Sequence, residues 1–425
     1  MSGPAGATPH ASSRAAVLDV IRAAGTISRV GLVNATGFTG ATISTVVRRL
    51  IDDGLVLETG RAESTGGKRR VLLQLNQSSR FAVGVHLDHA GITYVLTNLG
   101  GSVVARMSRA GVGTDDPPVV VARMATEVDA LIEGAGIDRG RVLGLGLVAP
   151  GPMNQTSGMR LVPPAMRHWD DFPLDRELQS ATRLPVVLDN DATAAALGEH
   201  WSGDVGGTPT FAAIYMGTGI GAGLMVNGIT FRGASGNAGE IGHVCLDADG
   251  PECWCGARGC TEVLAGPGAV VEAARADPAV ARAAGLATGP AERPRRLADF
   301  AAVTRAALRG EPGARALLER SARNLAVAAR TLANVMDLEQ MVLTGPSLAI
   351  AGSIYLPVVQ GELDRAFFAR ATHGVTVRLS RSAATAPAIG AAALVLQSEL
   401  VPLREGLRLP DNLADAEPAA PSAPR

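Results

Sequence analysis

Aromatic side chains are scarce in this 425-residue chain: Phe, Trp and Tyr together make up 3% of it, against 47% hydrophobic residues overall. The core is therefore expected to be mostly small and aliphatic. With 19% charged residues the composition is that of a globular protein, which excludes a disordered one. The opening stretch MSGPAGATPHASS has no basic-then-apolar signal region and is expected to be a frayed lead over residues 1–13. From Phe211 to Phe231 there is no charge, yet five glycines with Thr218, Asn227 and Thr230 fit a hairpin better than a spanning helix. No membrane partner is expected, and a cytoplasmic location follows from reduced, clustered cysteines without an export signal.

What is present is unevenly spread. The net charge of −1 hides a basic front: residues 1–80 carry ten Lys or Arg against five Asp or Glu, and the remainder 29 against 35. Such a front suits a polyanion, and 425 residues call for two or three domains. Val17, Leu18 and Ile21 have helical spacing in 14–24, and Ser28 caps a second helix over 29–36. Gly37 turns the chain, and Thr39 caps a third helix with Ile43, Val46, Val47 and Leu50 inward. Two strands joined by a basic Gly-containing loop then make a wing. The expectation is a winged helix-turn-helix over 14–78 that binds double-stranded operator DNA. Thr39, Ala41, Thr42, Ser44 and Thr45 would approach bases, while Arg48, Arg49, Lys68, Arg69 and Arg70 would reach phosphates. A small helical protein–protein module with a solvated basic loop is the alternative reading.

All four cysteines lie between Cys245 and Cys260. His243, Cys253, Cys255 and Cys260 form H-x9-C-x-C-x4-C, one imidazole and three thiolates, a closed tetrahedral set for a structural Zn²⁺. A loop of reduced cysteines or a disulfide is the competing reading, but this density beside a histidine favours metal. Gly256 and Gly259 suit a loop bent round an ion. Cys245 is expected to be a small buried residue. Glu240 and Glu262 flank the loop, so a metal would hold two carboxylates and the His243 edge rigidly, as acceptors for polyol hydroxyls.

The run E-x-G-H followed by C-x-C-G-x-x-G-C-x-E, here Glu240, Gly242, His243, Cys253, Cys255, Gly256, Gly259, Cys260 and Glu262, resembles the ROK family of sugar kinases and sugar-responsive repressors. The resemblance extends from about residue 14 to about 396 and includes the T-G-F-T and S-T-G-G stretches of the front end. Apolar runs FAVGVHL, ITYVLTNL, VLGLGLVAP, LPVVLDND, TFAAIYMG and QMVLTG read as strands, with helices near 118–133, 192–200 and 312–336, giving an α/β body. The resemblance implies two actin-like lobes, 80–192 with 386–400 and then 193–385 with the zinc loop. A disordered tail is expected over 410–425.

In ROK kinases the second Asp of a D-N-D-A motif is the general base, and here it matches Asp191; Asn190 matches a sugar-contacting amide. Capping of the following helix is an equally ordinary use of those residues. The family's later phosphate loop survives as Gly217, Thr218, Gly219, Ile220 and Gly221 and reads here as a hairpin turn. Its D-x-G-G-T loop is replaced by His86, Leu87, Asp88, His89 and Ala90, and its G-G stretch by Thr344, Gly345 and Pro346. Pro163, Pro164 and Ala165 stand where relatives carry Pro-Asn, which removes a sugar contact. The expectation is a non-enzymatic repressor, a homodimer or homotetramer, whose operator binding responds to a carbohydrate held by Asn190, Asp191, Glu240, His243 and Glu262. An ATP-dependent hexose or N-acetylhexosamine kinase, with Asp191 catalytic, is the alternative.

Overall fold

The computed structural model describes residues 9–61, 70–154, 158–159, 164–170, 172–202, 205, 208, 210–286 and 296–397. It opens with α1 (Pro9–Ala24), β1 (Ile27–Ser28), α2 (Arg29–Thr36), α3 (Gly40–Asp52), β2 (Val56–Arg61) and β3 (Val71–Leu75). Ser28 Oγ accepts from Gly31 N and Thr39 Oγ1 from Thr42 N, so both expected caps form, each worth about 1 kcal/mol. Gly37 ends α2 at φ 69°. Helix α1 begins at Pro9, inside the stretch expected to be frayed; proline is favoured in a first turn, where its missing N–H has no helical partner. Strand β3 pairs antiparallel with β2, as expected of a wing, and also with β1, whose two residues gave no sequence signal.

Val17, Leu18, Ile21, Leu32, Ile43, Val47 and Leu50 are all fully buried. Each such burial is worth about 1.5–3 kcal/mol, so this seam, more than helix propensity, holds the short helices together. The same core runs on into the body through Leu197, Trp201, Ala388 and Ile389. The Arg22 guanidinium of α1 lies 4.3 Å over the Trp201 ring at this junction.

The body holds β4 (Phe81–Leu87), β5 (Gly91–Asn98), β6 (Val103–Ala110), α4 (Pro117–Gly134), β7 (Val142–Ala149), β8 (Met153–Asn154), β9 (Gly158–Met159), α5 (Leu174–Thr182), β10 (Val186–Asn190) and α6 (Asp191–Ser202). After them come β11 (Phe211–Met216), β12 (Ile220–Val226), β13 (Ile229–Thr230), α7 (Thr261–Ala265), α8 (Pro267–Ala276), α9 (Pro278–Ala284) and α10 (Arg296–Leu308). The last are α11 (Pro312–Met336), β14 (Gln340–Thr344), α12 (Pro346–Ala366), β15 (Thr376–Leu379) and α13 (Ala386–Leu396).

Two sheets organise the body, ordered β10-β7-β4-β5-β6 and β13-β12-β11-β14-β15. Each is an antiparallel meander extended by two parallel strands, so the second repeats the topology of the first. That duplication is the two-lobed, actin-like arrangement. All six apolar runs are strands, and the uncharged stretch forms the β11–β12 hairpin. Strand β6, largely exposed, was missed because three of the eight residues in VVARMSRA are polar and no apolar run forms.

Helix α13 returns to the first sheet and packs on β4 and β7. It also meets α6 at backbone distance: a Cβ on Gly390 would stand 1.8 Å from Ala194 O, a contact only glycine permits. Helix α6 packs against β12 of the second lobe as well, so it is shared between lobes. Among the described residues, no single helix is long and apolar enough to cross a membrane.

Candidate functional site

Strand β10 ends and α6 begins at the Asp189-Asn190-Asp191 run, all three side chains buried. Asn190 Oδ1 accepts from Ala192 N at 2.9 Å and Thr193 N at 3.1 Å, and its Nδ2 donates to Gly151 O at 3.3 Å. Capping is therefore realised, which leaves one Nδ2 hydrogen for a ligand. Asp191 Oδ1 accepts from Ala192 N at 2.8 Å, while Oδ2 stands 3.6 Å from His86 Nε2. Asp189 takes a two-pronged contact from Arg232 of the other lobe, Nε at 3.2 Å and Nη2 at 2.6 Å. Asn237 adds a reciprocal bridge across the lobes, accepting from Met153 N and donating to Met153 O.

The loop from Glu240 to Glu262 closes the other side. His243 Nδ1 lies 3.6 Å from Cys253 Sγ, and Cys255 Sγ 3.7 Å from Cys260 Sγ. The four donor atoms all fall within 4.8 Å of one another, so the described residues contain a cluster able to hold a metal ion. A tetrahedron with Zn–S about 2.3 Å and Zn–N about 2.0 Å has edges of about 3.8 Å (S···S) and about 3.5 Å (S···N), so the donor set fits zinc. Gly256 and Gly259 turn the loop at φ 95° and 58°. Burial, followed by its thiol neighbours, pushes Cys260 up to about 12. Cys245 lies outside the cluster, as expected, but is exposed where a buried side chain was expected. It stands in a bridge opposite Cys260, in a loop whose residues 247–249, 251–252 and 254–258 are exposed, so its surroundings face solvent.

Glu262 is held at both oxygens: Trp254 Nε1 donates to Oε1 at 2.8 Å and Ile220 N to Oε2 at 3.2 Å. Trp254 also meets the His243 ring edge-on, 4.9 Å between centroids. Sequence reasoning missed this tryptophan, although its place inside the C-x-C pair was a signal. The surviving glycine loop serves the same carboxylate, since a Cβ on Gly219 would lie 2.5 Å from Glu262 Oε2. A side chain there would crowd the Glu262 carboxylate where it is held. Glu240 keeps exposed surface; the desolvation it does suffer, then the charges of Asp191 and Glu262, push it up to about 7. Glu240, Glu262 and Asp191 are thus brought together, with His243 on the loop beside them.

The replaced phosphate loop is filled with side chains. His86 and Asp88 are buried; burial, with the charge of Asp191 adding, raises the Asp88 pKa above the usual carboxylate range. Thr218 Oγ1 lies 3.5 Å from Asp88 Oδ1 across the cleft. In the front domain, Thr39, Ala41, Ser44, Thr45, Arg48 and Arg49 are exposed along one face of α3, Thr42 is half-buried with its hydroxyl 2.9 Å from Thr39 Oγ1, and Arg70 is half-buried. Lys68 and Arg69, like Pro163 and the tail over 410–425, lie outside the described residues.

A winged helix fused to a two-lobed, sugar-kinase-like body defines a class of protein in which one fold carries either regulators or kinases. The ROK family model matches residues 83–398, and the chain belongs to the ROK family. It is 27% identical over 380 residues to the xylose repressor of Caldicellulosiruptor bescii, covering 88% of this chain and 92% of that one. A ROK family transcriptional regulator described as a homologue of the Escherichia coli MLC protein superposes with TM-score 0.73 at 26% identity, over 92% of this chain and 97% of the other. A ROK family glucokinase from Streptomyces griseus, solved with glucose and AMPPNP, matches with TM-score 0.62 at 27% identity, over 74% of this chain and 98% of that one.

Proposed function

We propose that this chain is a DNA-binding transcriptional repressor whose grip on its operator is set by a small carbohydrate. The observation that carries the reading is the conjunction of an exposed polar and basic α3 face with a cleft that keeps its carboxylates but has lost its phosphate loop. The α3 face enters the major groove of operator DNA, with Thr39, Ala41, Thr42, Ser44 and Thr45 toward bases and Arg48, Arg49, Lys68, Arg69 and Arg70 toward phosphates. Asn190, Asp191, Glu240, His243 and Glu262 hold the sugar. Zn²⁺ on His243, Cys253, Cys255 and Cys260 would supply a structural cross-link, and Trp254 then fixes the Glu262 carboxylate. Arg232 and Asn237 brace the second lobe against the first.

Helix α6 links site to reader. Asp191 starts it, and Trp201, about 15 Å further along at 1.5 Å per residue, sits in the core shared with the winged helix. In a cytoplasmic homodimer, sugar-driven closure of the lobes shifts the spacing of two such modules relative to operator half-sites, and binding weakens. A coupling of about 1–3 kcal/mol corresponds to roughly 5–150-fold in operator affinity. The test is an anisotropy titration on DNA recovered by genomic footprinting, with candidate sugars added; insensitivity to every sugar refutes the effector role.

Likeness to ROK glucokinases favours one other reading, an ATP-dependent hexose kinase with Asp191 as base. Against it, buried Asp88 adds negative charge where phosphates would need amide donors. A coupled assay on hexoses and N-acetylhexosamines decides: turnover abolished by Asp191→Asn would establish the kinase.

A further inference from the structure

Two buried polar groups without partners converge at the replaced loop. His86 Nε2, on a side chain 8% exposed, has no hydrogen-bond partner and stands 3.6 Å from Asp191 Oδ2. The Tyr215 hydroxyl is also buried and unpartnered, and the Tyr215 ring meets His86 edge-on with 5.9 Å between centroids. Native structures leave few such groups unsatisfied, so each calls for an explanation. The pair spans the cleft, His86 on β4 of the first lobe and Tyr215 on β11 of the second.

The 3.6 Å separation is too long for a direct hydrogen bond. An oxygen about 2.8 Å from both atoms subtends about 80° at this separation, and opening the pair by about 1 Å gives it a near-tetrahedral angle from which to accept from the imidazole N–H and donate to the carboxylate. A sugar hydroxyl can do both at once. Asp191 acts on Asp88, Tyr215 and Glu240, and Glu262 on Glu240, so acidic side chains crowd this space and disfavour phosphorylated or acidic sugars.

We propose that His86 reads the effector: its Nε2–H donates to the uncharged-sugar hydroxyl whose proton Asp191 accepts, and Tyr215 closes that subsite from the opposite lobe. This rests on the carbohydrate reading above and adds to it a specificity-determining residue at the place of the lost phosphate loop. His86 and Asp191 both lie on the first-lobe side of the cleft, and Tyr215 is the one member of the subsite that the second lobe supplies.

The test is calorimetry on the full-length protein with D-xylose, D-glucose and N-acetyl-D-glucosamine, followed by the monodeoxy analogues of whichever binds. His86→Leu should weaken the parent sugar roughly 10–100-fold, and His86→Gln, which keeps a side-chain N–H, should recover most of that loss. The analogue lacking the bridged hydroxyl should bind wild type and His86→Leu alike, a result that a purely structural role for His86 would not give. Equal affinity of wild type and a folded His86→Leu for the parent sugar overturns the inference alone. Equal weakening of every deoxy analogue by His86→Leu overturns it too. Failure of wild type to bind any sugar refutes the carbohydrate reading and this inference with it.

Discussion

Replacing Cys255 with serine removes one of four donors from the loop that positions Glu262. The backbone between Val244 and Thr261 is pinned by few hydrogen bonds, among them Leu246 N to Gly259 O, Cys253 N to Ala257 O and Gly259 N to Pro251 O, each 2.8 Å. Each contributes about 1 kcal/mol net, whereas ordering a residue costs about 1–2 kcal/mol. The loop is mostly exposed, so apolar burial does not close that gap. A structural zinc bound there would, at about 10–16 kcal/mol. Losing one ligand of four should remove roughly 2.5–4 kcal/mol of that, which for a lobe of this size lowers Tm by about 6–12 °C. Metal content by mass spectrometry, calorimetry and proteolysis of the loop check this together. A Cys255→Ser protein that keeps one zinc per chain, melts with wild type and resists cleavage would refute the reasoning.

Asp88→Asn should stabilise the protein at neutral pH. The folded pKa of Asp88 lies above the unfolded one, so the carboxylate's penalty appears as pH rises from the unfolded value through the folded value, and the advantage of Asn should vanish in acid; denaturant unfolding across pH checks the slope. Arg48→Ala and Arg49→Ala should each lower the slope of log affinity against log salt for DNA by about 1, measured by anisotropy at several salt concentrations. Arg22→Ala removes the cation–π contact at Trp201, worth about 0.5–1 kcal/mol, and should reduce the effector-induced change in operator affinity roughly 2–5-fold. An unchanged effector response would place the coupling elsewhere.

The winged helix was legible because its signals are local: Ser28 and Thr39 cap, Gly37 turns, and Ile43, Val46, Val47 and Leu50 keep helical spacing. The cluster able to hold a metal was legible because four donors fall within eighteen residues, from His243 to Cys260. Strands buried on both faces, such as FAVGVHL, declared themselves as apolar runs, while edge strand β6 did not. What stayed hidden depends on long-range meeting. Arg232 finds Asp189 only once the lobes meet, and His86 finds Asp191 only once β4 lies in the same sheet as β10, while Trp254 meets Glu262 within one loop whose fold the spacing alone did not give. Cys245 was misplaced because its small thiol gave no sign that the loop around it faces solvent.

The account stands or falls on the link between cleft and DNA. Anisotropy of labelled operator bound by the full-length protein, titrated with the sugar that calorimetry identifies, measures that link directly. The account predicts operator affinity falling at least about fivefold at saturating sugar, with the same sugar leaving an Asp191→Asn variant bound. Saturating sugar in the cleft with operator affinity unmoved would contradict it.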